Sequence, residues 1–130
     1  SYVSGCIGLG DLQARVTNVF DDRIDSGWLN QPHSPGGASA AYDLVNFPIL
    51  IDNNSAIKER WKLKFTSTSG FEVIGEQLGV IGAGSTSSDC SPINPNTGQP
   101  YFTIKADGWG SGWVSSNVLR FDTVAAAAPV

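Results

Sequence analysis

The clearest potential for ligand chemistry lies in the segment DGWGSGW, which runs from Asp107 to Trp113. Its two tryptophans flank Gly-Ser-Gly. An aromatic ring can stack on the apolar face of a sugar while polar neighbours bind the hydroxyl groups. Asp107, Tyr101 and Asn117 could supply those hydrogen bonds. With Trp109 and Trp113 they form the candidate ligand-binding set of a carbohydrate-binding module. The alternative is that the two rings cap an open end of a β-sandwich.

The same segment carries a turn signal. Asp-Gly is typical of tight hairpin turns, and the flanking runs YFTIKA and WVSSNVLRF have the composition of strands. The pattern predicts a hairpin connection between two strands. Trp113 would then open the returning strand and be buried, whereas Trp109 would lie at the exposed loop tip.

Two glycine-rich runs are candidates for phosphate binding, but neither is followed by a helix. GVIGAG, from Gly79 to Gly84, precedes STSSDCSPINPN, which holds two prolines and has no helical period. GCIGLG, from Gly5 to Gly10, precedes LQARVTNVF, which alternates like a strand. A pyrophosphate site needs a helix N-terminus directly after the glycines. We therefore predict no nucleotide site and no cofactor.

Residues suited to acid–base catalysis are few. His33 is the only histidine and lies in a proline-rich loop, where we expect it to be exposed and idle. Glycoside hydrolysis needs two carboxylates across a cleft. The glutamates are Glu59, Glu72 and Glu76, and the last two have the outward phase of a single strand. The sequence therefore predicts a protein without catalytic activity.

A metal site is equally unsupported. The acidic cluster DDRID contains Asp21, Asp22 and Asp25, and calcium binds several closely placed oxygens. The spacing of a calcium-binding loop is missing, however, and Arg23 neutralises part of the charge. We expect a turn that ends a strand, with no bound metal.

The two cysteines leave two possibilities open. Cys6 and Cys90 could form a disulfide that ties the N-terminal segment to the central loop. Alternatively they are two buried free thiols, as is common in a reducing compartment.

Composition limits the class of protein. The chain has 130 residues, which fits one domain, and only 15% of them are charged, against about 25% in an average domain. The net charge of −4 argues against a nucleic-acid partner. No apolar run approaches the ~18 residues of a membrane span, so no membrane insertion is expected. Methionine is absent, which is typical of a processed chain or a part of a longer one. We expect one β domain over residues 1–124 and a linker or truncated tail over 125–130.

Period-two alternation predicts strands throughout the chain. Trp61, Leu63 and Phe65 alternate with polar residues, and Phe102 and Ile104 share one face. Further strands are expected in LQARVTN, in FEVIGEQLGVI with a break at Gly75, and in WVSSNVLRFDT. Residues 83–100 read as an 18-residue polar loop. The prediction is an all-β domain, an antiparallel β-sandwich of seven to nine strands or a barrel-like fold, with long polar loops.

Three segments in the second half of the sequence also resemble a known family. RWKLKFTSTSGFEVIGEQLGVIG, NPNTGQPYFTI and DGWGSGWVSSNVLRFDT, within about residues 61–123, are similar to segments of tailed-bacteriophage and prophage tail structural proteins. The resemblance implies a non-catalytic virion β-domain that contacts other virion subunits or a host surface glycan, through strand edges and loop surfaces. It implies a location in the virion, the alternative being extracellular or at a cell surface. A homo-oligomer is possible. No functional residue carries over from it.

Overall fold

The computed structural model describes residues 13–23, 28 and 41–126. Within them the chain forms seven strands and one short 3-10 turn. The elements are β1 (Arg15–Asp22), β2 (Glu59–Phe65), β3 (Gly70–Gly75), β4 (Gly79–Ser85), β5 (Ile93–Asn94), β6 (Gln99–Pro100), the turn Ala106–Gly108, and β7 (Val118–Val124). The prediction of an all-β fold is confirmed. In the described part of the chain no helix is long and apolar enough to cross a membrane.

Five strands form one antiparallel sheet in the order β1-β7-β2-β3-β4. The alternation in β2 works as predicted, because Trp61, Leu63 and Phe65 are all buried on one face. Lys62 and Lys64 point to the other face. That face is covered in part, since the Nζ atom of Lys62 lies 4.5 Å from the ring centroid of Trp28. In this strand order β2 is the central strand of the sheet.

A thinner second layer closes the core. Phe102 and Ile104 are fully buried, as their shared phase predicted. The Phe102 ring lies 5.0 Å from that of Trp61 and 4.9 Å from that of Phe121. Single bridges join Leu50 to Thr103 and Cys90 to Ile104, and β5 pairs with β6 alongside. The result is sandwich-like and not a closed barrel.

The segment FEVIGEQLGVI forms two strands, where one strand with a break was expected. β3 ends at Gly75 and β4 begins at Gly79, whose φ of +75° suits glycine. The Glu59 carboxylate accepts hydrogen bonds from the backbone N–H groups of Gln77 and Leu78 at 3.1 Å. This buried acceptor stabilises the turn. The break predicted at Gly75 coincides with the end of β3. A bulge lies further along β4, where Ile81 is an extra residue in the pairing with β3.

The predicted polar loop 83–100 is also more ordered than expected. It contains the end of β4, the bridge from Cys90 to Ile104, and the β5–β6 hairpin. The side chain of Asn94 is buried and donates to the Ser55 carbonyl at 2.9 Å. Such contacts are invisible in the sequence because they join residues 39 positions apart.

Several predicted features involve residues of which only some are described. Cys90 is a buried free thiol, which agrees with the free-thiol alternative for this residue. Asp21 and Asp22 belong to β1. The other residues of these predictions, namely Cys6, the run 5–10, Asp25, His33 and residues 127–130, lie outside the described residues.

Candidate functional site

The two tryptophans of DGWGSGW belong to a packed aromatic cluster. Trp113 stacks on Phe65, with centroids 4.7 Å apart. Trp109 meets Trp113 edge-on at 5.3 Å and Tyr42 edge-on at 4.9 Å. Trp113 is buried, as predicted, but Trp109 is half-buried, which corrects its expected place at an exposed loop tip. The rings cap the sheet beside Phe65 and Phe71.

The segment is not a hairpin, because the strands predicted on either side do not pair with each other. Residues 101–104 bridge to Leu50 and Cys90, while β7 begins only at Val118 and pairs with β1 and β2. Asp107 and Gly108 lie in the 3-10 turn. The Asp-Gly signal therefore marks a turn, as expected, but one that leads to a crossing between the two layers.

The three polar members of the candidate ligand set differ in exposure. Asp107 is exposed. Tyr101 is buried, with its ring 5.3 Å from that of Trp61. Asn117 is buried and its amide is used internally, because Nδ2 donates to the Arg23 carbonyl at 3.0 Å and Oδ1 accepts from the Val114 N–H at 3.0 Å. The carbohydrate-binding hypothesis stays a prediction, and these five residues do not share one open face.

Within the described residues, the Cys90 thiol and the metal-binding side chains form no reactive or ligating group. Burial raises the pKa of the Cys90 thiol to about 11, so little reactive thiolate exists near neutral pH. Among residues 13–23, 28 and 41–126, no three His, Cys, Asp or Glu side chains are grouped to hold a metal ion.

An open polar cavity of about 500 Å³ lies at the end of the sheet where β1, β7 and β2 approach the β3–β4 turn. Two pairs of its polar groups bind one another. Arg60 Nη1 lies 3.4 Å from Glu76 Oε2, and Asn18 Nδ2 donates to Asp122 Oδ2 at 2.9 Å. The Glu59 carboxylate serves the turn. These contacts account for the cavity as a structural feature.

The strand β4 offers a different kind of surface. It is an edge of the five-stranded sheet, and no strand among the described residues pairs with its outer side. The run 78–88 carries no charged residue and no proline. Two large apolar side chains are exposed at its start, Leu78 and Val80, the latter 60% exposed. An uncharged, exposed edge is a template for pairing with another chain.

A cavity of about 220 Å³ lies beside this edge, between residues 81–84 of β4 and the segment 88–93. We call it the β4 groove. Its lining is mixed: Val73, Ile81, Pro92 and Ile93 supply an apolar side, and Ser88, Asp89 and Ser91 supply polar groups. Gly82 forms part of its floor, since a Cβ atom built on Gly82 would meet no atom within 4 Å. The groove therefore exists because a strand residue facing the core layer has no side chain.

The far wall of the groove is fixed in place. The N–H and C=O groups of Cys90 both pair with Ile104 at 2.9 Å. Asp89 accepts from the Ala106 N–H and from Lys105 Nζ, each at 2.8 Å. These bonds hold the pKa of the Asp89 carboxyl below its ordinary value, and the bond from the Ala106 backbone contributes most. The groove is thus a preformed feature between two anchored segments.

Sequence reasoning missed this site for a clear reason. It considered GVIGAG as a possible phosphate loop and as the end of a single strand, and read 83–100 as one polar loop. The absence of charge from 78 to 88 is a usable signal. That β4 lies at the edge, and that 88–93 runs alongside it, depends on the strand order.

A scan of family models, a search of curated proteins and a search of solved structures each returned no match to this chain.

Proposed function

We propose that this protein is a non-catalytic interaction domain that joins a neighbouring protein by accepting an extended segment at the edge of β4. The observation that carries the proposal is the combination of an uncharged edge strand with a preformed groove, apolar on one side, beside it. Strand addition of this kind takes its affinity from main-chain hydrogen bonds and its specificity from pockets for alternate side chains.

The backbone of β4 has donors and acceptors to offer. Hydrogen-bonded and non-hydrogen-bonded pairs alternate along an antiparallel ladder. Thr86 donates its N–H to the Ser69 carbonyl, so residue 86 faces β3. With Ala83 paired to Glu72 and Val80 to Ile74, the alternation directs the N–H and C=O groups of Ala83 and Val80 away from the sheet. An added strand would bind there.

The two edge strands of the sheet, β1 and β4, differ in how well they are protected against pairing with another chain. β1 carries Arg15, Asp21 and Asp22, and its pairing is interrupted at Asn18, which has φ of +54°. Charge and irregular backbone are the usual means of preventing edge-to-edge pairing. β4 has its irregularity only at Ile81, so residues 82–85 pair regularly with β3 and carry no charge. The open edge of β4 is therefore the better docking surface.

The phage-tail resemblance of residues 61–123 supplies a context for such a domain. The low charge of this chain fits burial in an assembly. We include a virion tail as the proposed setting, with another tail subunit as the protein that supplies the strand.

The proposal is tested with a probe peptide of seven alternating threonine and valine residues, blocked at both ends. We expect it to shift the amide resonances of Val80 and Ala83 in the full chain and to slow their hydrogen exchange. Ala83→Pro removes the outward N–H of residue 83 and should abolish both effects at the Val80 amide. Ala83→Thr retains the N–H and is the matched control.

A second variant covers the case that Ala83→Pro does not fold. Val80→Lys places a charge on the exposed edge and should weaken peptide binding while the melting temperature changes little, because Val80 is 60% exposed. The proposal fails if millimolar peptide leaves both amides exchanging at their unliganded rate, or if Ala83→Pro and Ala83→Thr bind the peptide equally well.

A further inference from the structure

We infer that the β4 groove is a specificity pocket that takes one large apolar side chain from the added strand and thereby fixes its register. This inference rests on the proposed function, because it assumes that a strand pairs with β4. It goes further in naming the residue class that the partner must carry and the position in β4, Gly82, that the side chain must face.

An added strand needs a contact that fixes its register against β4, because β4 is rich in glycine. Strands that lack distinctive side chains specify their pairing weakly and can slip by one or more residues. Gly79, Gly82 and Gly84 give an added strand few side chains to pack against. A single deep contact beside the strand would select one register from several.

Internal packing requires glycine at Gly84 but not at Gly82. A Cβ atom on Gly84 would lie 2.7 Å from Phe71 Cε1 and 3.1 Å from Cys90 Sγ, so packing excludes a side chain there. A Cβ atom on Gly82 would meet nothing within 4 Å, and Gly82 is in ordinary extended backbone. Neither internal packing nor backbone conformation requires glycine at Gly82. Its absent side chain keeps the groove open.

The size and chemistry of the groove define the occupant. The groove has a volume of about 220 Å³, and about 150 Å³ is enough to bind benzene, so one leucine, isoleucine or phenylalanine side chain fits against its apolar side. Val73, Ile81 and Pro92 contribute apolar walls, and Ile93 is exposed at the rim. The Asp89 carboxylate is already bound to Lys105 and Ala106. An acidic side chain in the groove would therefore face the Asp89 carboxylate and be disfavoured.

The occupant is a strand of another protein rather than a second copy of β4. In a pair of β4 edges, the opposing strand would present Gly82 and Gly84 toward this layer and would fill the groove poorly. An extended segment with a large apolar residue flanked by small uncharged ones complements both the edge and the groove. Side chains two positions away would point to the same face and must be small.

The test uses threonine-rich peptides of seven residues that differ only at the central position, which holds alanine, leucine, phenylalanine or aspartate. Affinity is measured on the full chain from the amide shifts of Val80 and Ala83. Burying a large apolar side chain should make the leucine and phenylalanine peptides bind about 10- to 100-fold more tightly than the alanine peptide. The aspartate peptide should bind no better than alanine.

A variant whose own side chain occupies the groove is the matched control for the peptide series. Gly82→Leu should place a side chain in the space and remove the preference for leucine over alanine, while the alanine peptide still binds the edge. If Gly82→Leu does not fold, Ile93→Ser replaces an exposed rim residue and should reduce the same preference.

The outcomes separate the two proposals. Equal affinity for all four peptides, unchanged by Gly82→Leu, would overturn the pocket and leave strand addition intact. Failure of every peptide to protect Val80 and Ala83 would overturn both. Concentration-dependent dimerisation that Gly82→Leu abolishes would show that a second copy, and not a foreign strand, occupies the groove.

Discussion

Phe65 and Trp113 lie face to face, with ring centroids 4.7 Å apart and planes inclined by 12°. They come from different parts of the chain, and backbone bonds hold them together. Phe65 donates its N–H to the Asn117 carbonyl at 2.8 Å, and Ser116 donates to the Phe65 carbonyl at 2.9 Å. The irregular segment before β7 is thus tied to the end of β2, which places Trp113 over the core.

Alanine substitution should destabilise the protein at both tryptophans of this cluster. Trp113→Ala removes a ring that is 2% exposed and should lower the free energy of unfolding by about 3–5 kcal/mol. Trp109→Ala removes a half-buried ring that contacts Tyr42, Phe65 and Phe71, and should cost about 2–3 kcal/mol. Urea unfolding measures both.

Val114→Ala is the control for that experiment, because Val114 adjoins Trp113 but is 44% exposed. Its effect should stay within about 0.5 kcal/mol. A Trp109→Ala variant as stable as the unmodified chain would show instead that the Trp109 ring lies in solvent, and would reopen the carbohydrate-binding alternative.

Gly84→Ala should be costly, whereas Gly82→Ala should not. The new methyl group at Gly84 would press on the Phe71 ring, which is buried between other rings and cannot move freely. We expect a loss of about 1–3 kcal/mol. Gly82→Ala enters open space and should be neutral or stabilising by about 0.5 kcal/mol. Thermal melting of the two variants decides the matter, and similar losses would contradict the account of the groove.

Glu59→Gln should loosen the turn between β3 and β4. The Glu59 carboxylate accepts the N–H groups of Gln77 and Leu78, and an amide replaces one of its oxygens with a donor. The expected loss is about 1–3 kcal/mol, with faster hydrogen exchange at Gln77 and Leu78. Glu76→Gln is the matched control. It breaks only the exposed pair with Arg60, and should change stability by less than about 1 kcal/mol.

Cys90 should react slowly with iodoacetamide at pH 8. Burial raises the pKa of its thiol from 9.0 to about 11. At pH 8 the thiolate fraction is then about a hundredfold lower than for an exposed thiol, before hindered access is counted. The rate should rise about tenfold per pH unit up to near pH 11. A Cys6→Ser background isolates the reaction, and mass spectrometry follows it. Alkylation as fast in the folded as in the urea-unfolded protein would refute this assignment.

Local alternation predicted the buried faces that form the core, although the run YFTIKA forms only single bridges and not a strand. Trp61, Leu63 and Phe65 were identified as one buried face, and Phe102 and Ile104 as another, because period two alone decides which side chains share a face. The hairpin predicted around Trp109 was wrong for the complementary reason. Composition identified the Asp-Gly turn correctly, but whether two flanking strands pair depends on partners elsewhere in the chain.

The amino-acid sequence by itself therefore determined the class of the fold, the core residues of β2, and the absence of charge along residues 78–88. Only the tertiary structure decided that β4 lies at the edge of the sheet, that segment 88–93 runs beside it, and that Gly82 faces empty space. Alternation and propensity act between near neighbours, whereas strand order and cavities arise from contacts between residues far apart in the chain.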